Sequence, residues 1–252
     1  MTNPTARFTN RVSDYVRFRP GYPDALLDTL EAGVPLSPDY VVADIGAGTG
    51  ISTSLLLRAG WTVMAVEPND AMRAAAEQQL RGRSHLTFVA GTAEVTTLPD
   101  QSVDLVAVGQ AFHWFDRDKA RSEFLRILKS GGRVALFWNV RRLDSDPFAK
   151  AYEQLLLTYG TDYTLVTQRH MDATVLTAFF RGPFETHAFP YVQTFDFDGL
   201  RGRLLSSSYA PSPGHPQHEP MISTLRQIFD AHQEQGRVHF VYDTQLYLGA
   251  LA

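Results

Sequence analysis

The sequence predicts an α/β fold: a mostly parallel, doubly wound sheet of the Rossmann-like kind, with helices on both faces. Between about residues 40 and 139, short apolar segments alternate with helical patterns. The apolar segments are continuous runs, which is typical of parallel strands buried on both faces. The first run ends in a glycine-rich loop, and ligands of such folds bind at the carboxyl ends of the strands. The sequence therefore predicts a ligand site along that edge of the sheet.

Local patterns predict the elements of this core. Gly33 and Gly60 are placed to end helices, Asp116 is placed to begin one, and the alanine-rich segment 70–80 is strongly helix-forming. The predicted strands are Val41–Ile45, Thr62–Val66, Leu86–Ala90, Val103–Val108 and Arg133–Trp138. The predicted helices are Pro23–Ala32, Ile51–Ala59, Asp70–Leu80 and a segment from Asp116 to about Lys129, which Ser130, Gly131 and Gly132 end.

The alternation loosens after the fifth strand. The predicted helices there are Asp146–Tyr159, Asp172–Phe180, Leu200–Ser207 and Met221–Gln235, and the predicted strands are Phe184–Val192 and Val238–Leu248. With no repeat or linker, the chain is expected to form a single domain. Its parts would be a lid segment and helix (1–36), a cofactor-binding core (37–140), a small inserted cap with the sixth strand (141–236) and the last strand (237–252).

Composition excludes several classes of function. The 252 residues include no cysteine, which excludes disulfides and thiolate metal sites. The net charge of −4 argues against a nucleic-acid surface, which needs clustered basic residues. The N-terminus lacks the layout of a signal peptide and no run is long enough to span a membrane, so we expect a cytoplasmic protein without membrane contact. His215 and His218 lie in a proline-rich stretch, residues 211–220, which is expected to be an exposed loop and not a metal site.

The glycine loop predicts an adenosine-containing ligand. Asp44, Gly46, Gly48 and Gly50 follow the first strand, and Glu67 stands at the tip of the second, where a carboxylate can accept both ribose hydroxyls. Nicotinamide dinucleotides and S-adenosylmethionine both fit this pattern. Dinucleotide loops use Gly-x-Gly-x-x-Gly, and an acid beside a pyrophosphate would be repulsive. The charge of Asp44 therefore favours the ammonium and sulfonium of S-adenosylmethionine.

Five segments, in this order, resemble the motifs of class I S-adenosylmethionine-dependent methyltransferases: VVADIGAGTG, VMAVEPNDAM, FVAGTAEVTTLP, SVDLVAVGQAFHWF and LKSGGRVALFWN. Within that class the chain resembles the small-molecule branch (methyltransferase type 11) that includes trans-aconitate methyltransferase-like proteins. The resemblance covers roughly residues 8–140 and continues more weakly to the C-terminus. It implies a seven-stranded sheet whose last strand is antiparallel, with S-adenosylmethionine as cofactor and a small molecule as methyl acceptor.

The resemblance also implies a set of cofactor-binding residues. Glu67 would hold the ribose, and the glycine loop would face the methionine part of the cofactor. Many relatives carry aspartate where Thr92 stands, and a threonine hydroxyl is a weaker acceptor for the adenine amine. YVRFRPGYP (15–23) resembles the family's lid segment. The implied residues are Tyr15, Arg19, Asp44, Gly46, Ala47, Gly48, Glu67, Pro68, Met72, Thr92, Ala93 and Gln110.

The segment GQAFHWFD, after the fourth strand, is expected to meet both the cofactor and the acceptor. His113 is the candidate base if the acceptor is a hydroxyl, and would only orient a carboxylate, which is already nucleophilic. The ring of Trp114 would lie near the sulfonium. Acceptor contacts are expected from Arg203, which could pair with a carboxylate, and from hydroxyls of the segment that includes Ser208 and Tyr209.

Other functions fit parts of the sequence. A nicotinamide-dependent oxidoreductase shares the sheet but is disfavoured by the glycine spacing and by the absence of a Tyr-x-x-x-Lys pair. An RNA or protein methyltransferase would carry a basic face or an Asn/Asp-Pro-Pro-Tyr/Phe motif after the fourth strand, where this chain has Gln110, Ala111, Phe112 and His113. A non-catalytic binding protein of the same fold stays open, as does the choice between a monomer and a homodimer.

Overall fold

The fold is a seven-stranded sheet in the order β3-β2-β1-β4-β5-β7-β6. This computed structural model describes residues 18–32, 34–163 and 172–252. Strands β1 to β5 pair in parallel, whereas β7 runs antiparallel to both of its neighbours, β5 and β6. The predicted doubly wound sheet with one antiparallel strand is confirmed. The chain order reverses between β1 and β4, so the carboxyl ends of these two strands border the crevice where ligands of this fold bind.

The elements are numbered here in chain order within the described residues. The strands are β1 (Val41–Ile45), β2 (Thr62–Val66), β3 (Leu86–Val89), β4 (Val103–Gly109), β5 (Leu128–Arg141), β6 (Phe184–Phe195) and β7 (Val238–Gly249). The helices are α1 (Asp24–Glu31), α2 (Ile51–Leu56, extended by a 3₁₀ turn to Ala59), α3 (Asp70–Gln79), α4 (Arg117–Ile127), α5 (Pro147–Tyr159), α6 (Ala173–Phe180), α7 (Phe197–Leu205) and α8 (His218–His232).

Hydrophobic residues form three clusters, two of which cover opposite faces of the sheet. One face packs against α4 and α6 through residues such as Phe124 and Phe179, and the other packs against α1 and α2 through Leu26 and Leu56. The third cluster joins α5, α7 and α8 to the ends of β6 and β7 and includes Phe240. We call the helices α5, α7 and α8, together with the ends of β6 and β7 on which they pack, the cap. Because α6 packs on the sheet, the cap is smaller than the predicted insertion.

The boundary between α4 and β5 differs from the prediction. The helix was expected to reach Lys129, but it ends at Ile127, and Leu128 is already extended and pairs with Val103 of β4. The Ser-Gly-Gly segment therefore lies inside the strand and does not end the helix. Lys129 forms an ion pair with Asp104 of β4 (2.7 Å). Pairing with β4 outweighs the local helical pattern here, as tertiary context commonly does.

Two helices of the cap begin earlier than predicted. Helix α7 begins after Asp196, whose carboxylate caps it by accepting from the Gly199 amide at 2.8 Å. Helix α8 begins at His218, and Pro220 therefore falls in its first turn, where proline is tolerated. It ends at His232, three residues short of the prediction, since Gln235 and Gly236 adopt positive φ in a tight turn before β7.

The remaining boundaries are close to their predictions. Strand β3 ends one residue early, β4 and β7 run one residue further, and β6 extends to Phe195. Gly60 ends the 3₁₀ turn after α2 with φ +76°, as expected of a helix-terminating glycine. Gly33 and Tyr15 lie outside the described residues. No helix in the described parts of the chain has the length and apolar character needed to cross a membrane.

Candidate cofactor and acceptor cleft

A cleft of about 470 Å³ opens at the carboxyl ends of β1, β2, β3 and β4, between the sheet and the cap. It has four walls: the glycine loop, the tip of β2 with the start of α3, the loops after β3 and β4, and the segment after α7. The residues that line it are Arg19, Gly46, Gly48, Glu67, Pro68, Asn69, Met72, Thr92, Ala93, Glu94, Gly109, Gln110, Ala111, His113, Trp114, Phe115, Ser208 and Tyr209.

The glycine loop leaves the backbone bare at the floor of the cleft. Gly46 and Gly48 both have positive φ, +72° and +58°. A Cβ on Gly46 would lie 2.7 Å from the Cβ of Ala111, so the loops after β1 and β4 are in direct contact there. The amides of Gly46 and Ala47 donate to the carbonyl oxygen of Val66, which fixes the loop to the end of β2. Only glycine fits at position 46, for reasons of both backbone conformation and space.

Glu67 is held with its carboxylate at the edge of the cleft. Its Oε2 accepts from the Gly48 amide at 2.9 Å, and its Oε1 accepts from the Asn69 amide at 2.8 Å. Burial raises the pKa of Glu67, and these two hydrogen bonds and the nearby Arg73 oppose that effect. Each carboxylate oxygen keeps a second lone pair. Glu67 is therefore oriented in advance to accept two further hydrogen bonds from one ligand.

Asp44 does not line the cleft. It is fully buried beneath the glycine loop, and its carboxylate accepts hydrogen bonds from Ser52 (2.8 Å) and Thr53 (2.6 Å). Burial raises the pKa of Asp44 to about 6, while the two hydroxyls lower it and the charge of Glu67 raises it. Asp44 can thus affect a ligand through the field of its charge or through the loop that it supports.

The loop after β4 divides its aromatic residues between core and cleft. Phe112 is fully buried and packs edge-on against Phe179, with ring centroids 4.5 Å apart. His113 and Trp114, in the same 3₁₀ turn, are half-buried and line the cleft, with ring centroids 4.7 Å apart. Gln110 precedes them with φ +59°, a conformation that is uncommon for residues other than glycine. The turn buries one ring and presents the next two to the ligand space.

The far wall of the cleft is suited to a flat, apolar ring. Pro68 and the buried Met72 form one side, and the segment after β3 forms the other. The Thr92 hydroxyl accepts from the Val95 amide (3.2 Å), which uses part of its acceptor capacity. Glu94, which the sequence did not single out, also lines the cleft, and its Oε1 accepts from the Asp116 amide at 2.9 Å. Its proximity to Thr92 in the chain was the only sequence signal for it.

A smaller recess adjoins the glycine loop and contains Arg19, Ala47 and Thr49. Thr49 is buried, and its Oγ1 has no hydrogen-bond partner among the described residues. The guanidinium of Arg19 lines both the recess and the main cleft, and its Nη2 donates to the carbonyl oxygen of Ser206 at 2.9 Å. A cation and a buried hydroxyl therefore meet beside the loop backbone, a combination that suits an amino-acid carboxylate.

The cap side of the cleft carries positive charge behind a phenol. Tyr209 lines the cleft, whereas Arg203 and Arg141 lie behind it. Burial acts to raise the pKa of Tyr209, but the charges of Arg203, Arg141 and Arg19, together with a hydrogen bond with Ser207, lower it overall. Arg141 pairs with Glu153 at 2.6 Å, and Arg203 donates to the Ser207 hydroxyl at 3.1 Å. Among the described residues, Arg203 Nε and Arg141 Nη1 have no hydrogen-bond acceptor.

Most of the predicted site residues meet in this one cleft. Ala47 lies in the adjoining recess, Asp44 lies beneath the loop, and Arg203 is set back behind Tyr209. Asn69, Glu94 and Phe115 line the cleft in addition and were missed, as were Thr49 in the recess and Arg141 behind it. The first four each stand next to a predicted residue in the chain, whereas Arg141 is brought in only by the fold.

The prediction of an exposed loop for both cap histidines is wrong for His218. Its side chain is buried, and its Nδ1 donates to the carbonyl oxygen of Pro211 at 2.8 Å. His215 Nδ1 accepts from the Gln217 amide at 3.2 Å. Within the described ranges, no group of three histidine, aspartate or glutamate residues is arranged to hold a metal ion. His218 is explained by its structural hydrogen bond.

The cleft therefore combines a bare glycine loop, an anchored acid at the tip of β2 and an aromatic turn after β4. Residues 43–136 match the family model described as a methyltransferase domain. With the sheet order and the antiparallel β7, this confirms the predicted class I methyltransferase fold. The trans-aconitate methyltransferase-like branch stays a prediction.

Several curated methyltransferases resemble about half of this chain or less. An uncharacterised methyltransferase of Mycobacterium tuberculosis is 41% identical over 138 residues, which is 53% of this chain and 52% of the relative. Another, of Schizosaccharomyces pombe, is 31% identical over 150 residues, or 59% and 58% of the two chains. The malonyl-[acyl-carrier protein] O-methyltransferase of Methylococcus capsulatus is 38% identical over 101 residues, or 39% and 37%. The match thus spans about half the length of the first two relatives.

Solved structures extend the likeness of the fold to nearly the whole chain. A putative type II methyltransferase of Anaeromyxobacter dehalogenans aligns with a TM-score of 0.68 and 22% identity, over 93% of this chain and 98% of that one. A putative methyltransferase from an antibiotic biosynthesis pathway of Anabaena variabilis aligns with a TM-score of 0.59 and 19% identity, over 92% and 98%. At these identities the likeness concerns the fold alone, and it covers nearly the whole chain.

Proposed function

We propose that the protein is an S-adenosylmethionine-dependent methyltransferase that transfers a methyl group to an oxygen of a small-molecule acceptor. The observation that carries this proposal is the anchored carboxylate of Glu67 beside the bare loop of Gly46 and Gly48. A ribose with two adjacent hydroxyls matches the two free lone pairs of the carboxylate. The methyltransferase domain over residues 43–136 supports this cofactor over a dinucleotide.

The residues of the cleft fit the other parts of this cofactor. Pro68 and Met72 supply apolar contacts for the adenine ring, and the Glu94 carboxylate offers its amine a stronger acceptor than the Thr92 hydroxyl. Arg19 and the unpartnered Thr49 hydroxyl would hold the carboxylate of the methionine part. The remaining predicted contacts, from Ala47, Ala93 and Gln110, line the same space.

When bound, S-adenosylmethionine would supply an electrophilic methyl group on a cationic sulfur, and the neutral thioether S-adenosylhomocysteine would be the leaving group when the acceptor oxygen takes the methyl. The chain contributes position: reacting atoms must be held about 3–3.5 Å apart with water excluded. The aromatic faces of Trp114 and Phe115 line the cleft and stabilise a nearby cation. His113 can take the proton of an attacking hydroxyl, or hold a carboxylate that needs no base.

Charge on the cap side favours a carboxylate-bearing acceptor. The buried nitrogens of Arg203 and Arg141 keep donor capacity behind Tyr209. An anion at this end would lie opposite the cationic sulfur, so the two ligands would attract each other. The named activity of the Methylococcus capsulatus relative, an O-methyltransferase, agrees with an oxygen acceptor. Ser208 and Tyr209 offer hydroxyls that can orient it.

A screen of small carboxylic acids and phenols, with mass detection of a gained methyl group, tests this function. At least one acid or phenol is expected to gain about 14 mass units, the difference between a methyl group and the hydrogen that it replaces. This gain is expected only when S-adenosylmethionine is present. His113→Ala is expected to slow a phenolic acceptor about a hundredfold and a carboxylic acid much less, because only the phenol loses a proton to the base. Equal rates for the variant and the wild-type protein on both classes would assign His113 a packing role.

A further inference from the structure

Residues 18–23 form a segment that contacts the carboxyl-terminal parts of β4 and β5, beside the cleft. The Asn139 side-chain amide donates to the carbonyl oxygen of Gly21 at 2.8 Å. Tyr22 packs edge-on against Phe137 of β5, with ring centroids 4.8 Å apart. The Tyr22 hydroxyl would lie 2.6 Å from a Cβ on Gly109, so it also touches the tip of β4. The C-terminal half of the segment is thus fixed to the sheet.

The N-terminal half of the segment reaches the cap. Arg19 donates to the carbonyl oxygen of Ser206, directly after α7. The ring of Phe18 lies over Gly202 so closely that a Cβ there would be 2.2 Å from a ring carbon. Non-bonded carbon atoms approach no closer than about 3.5 Å at optimal contact. The ring can occupy this position only because residue 202 is glycine.

Gly202 has no other evident reason to be glycine. It lies within helix α7, where glycine is among the least favourable residues and alanine the most favourable. Its backbone is not in the left-handed region that glycine alone adopts readily. The space that it leaves for Phe18 therefore accounts for it. Helix α7 leads directly to Ser208 and Tyr209, which line the acceptor side of the cleft.

We propose that Phe18 and Gly202 are positioning residues whose contact holds Arg19 over the cofactor loop, so that cofactor affinity depends on a cap residue that does not line the cleft. This inference rests on the proposed function, since it takes S-adenosylmethionine as the ligand beneath Arg19. The contact joins the cofactor side of the cleft to the acceptor side. Moving Phe18 away from α7 would release Arg19 from the cofactor and from Ser206 together.

Gly202→Ala tests the proposal with one added methyl group. The variant is expected to bind S-adenosylhomocysteine at least about tenfold more weakly in calorimetry, and to release it faster in stopped-flow dissociation. Its Tm is expected to stay close to that of the wild-type protein, because the helical preference of alanine offsets the lost contact of Phe18. Arg201→Ala, an exposed neighbour in the same helix, is the matched control and is expected to keep wild-type affinity.

Phe18→Ala supplies a second test that leaves α7 unchanged. It is expected to weaken binding as Gly202→Ala does, and the double variant is expected to bind no more weakly than Phe18→Ala alone, because both changes remove one contact. Wild-type affinity in Gly202→Ala, or additive losses in the double variant, would overturn the proposal. A wild-type protein that does not bind S-adenosylhomocysteine would instead refute the proposed function, and this inference with it.

Discussion

The two sides of the cleft are built from different parts of the chain. The cofactor side is mainly backbone: a bare loop at Gly46 and two amides that anchor Glu67, all within one short stretch of sequence. The cap side consists of side chains, Arg141, Arg203 and Tyr209, from segments that are far apart in the chain. The proposed cofactor side therefore depends on the backbone geometry of one loop, whereas the proposed acceptor side depends on which distant side chains the fold brings together.

The largest expected effect distinguishes two glycines that share a backbone conformation. Gly46 and Gly60 have φ of +72° and +76°, but a Cβ at position 46 meets Ala111 at 2.7 Å, whereas one at position 60 meets nothing within 4 Å. Alanine at either position is expected to cost about 1–2 kcal/mol of stability for the left-handed backbone. Only Gly46→Ala is expected to lose affinity for S-adenosylhomocysteine, by about a hundredfold or more in calorimetry.

Gly60→Ala is the control for backbone strain in that comparison. Equal affinity of the two variants would mean that the main chain of the loop does not form the cofactor site. The cofactor side of the cleft would then not differ from the cap side in its dependence on the backbone.

A smaller effect is expected from the acid that the loop anchors. Glu67→Ala is expected to weaken binding of S-adenosylhomocysteine by about 1–3 kcal/mol, because two ribose hydroxyls lose their acceptors in a desolvated site. Glu77→Ala, an exposed acid on α3, removes the same charge outside the cleft and is expected to bind as the wild-type protein does. Calorimetric affinities that do not differ between the two variants would refute the assignment of Glu67 to the ribose.

The smallest effect is on stability and comes from the acid buried beneath the loop. The pKa of Asp44 is raised to about 6 in the folded protein, from an ordinary value of 3.8. Between these values the folded state binds more protons than the unfolded state, so the stability contributed by Asp44 rises as the pH falls. When the pH is lowered from 7 to 5, the free energy of unfolding of the wild-type protein is expected to rise relative to that of Asp44→Asn by about 1 kcal/mol.

Urea unfolding of the two proteins at each pH measures this difference. The comparison removes the contributions of Glu67 and other acids, which titrate in both proteins. An identical pH dependence for the wild-type protein and Asp44→Asn would show that Asp44 keeps an ordinary pKa in the folded state.

The sequence predicted one side of the cleft far better than the other, for a physical reason. The glycine loop and Glu67 follow adjacent parallel strands, so a local pattern also places them in space. Arg141 could not be predicted as part of the site, because only the antiparallel pairing of β5 with β7 brings it to the cap. Arg203 was predicted as an acceptor contact, but it does not line the cleft; its charge acts on the Tyr209 phenol, which does. On this side the sequence can suggest which side chains are near the cleft, but not which of them line it.

Calorimetry of the purified protein with S-adenosylhomocysteine and with NADH tests the central claim, that this cleft is a site for S-adenosylmethionine. Micromolar affinity for S-adenosylhomocysteine and no measurable binding of NADH are expected, because a dinucleotide would bring its pyrophosphate close to the buried charge of Asp44. Tighter binding of NADH than of S-adenosylhomocysteine would contradict the account and would favour an oxidoreductase of the same sheet.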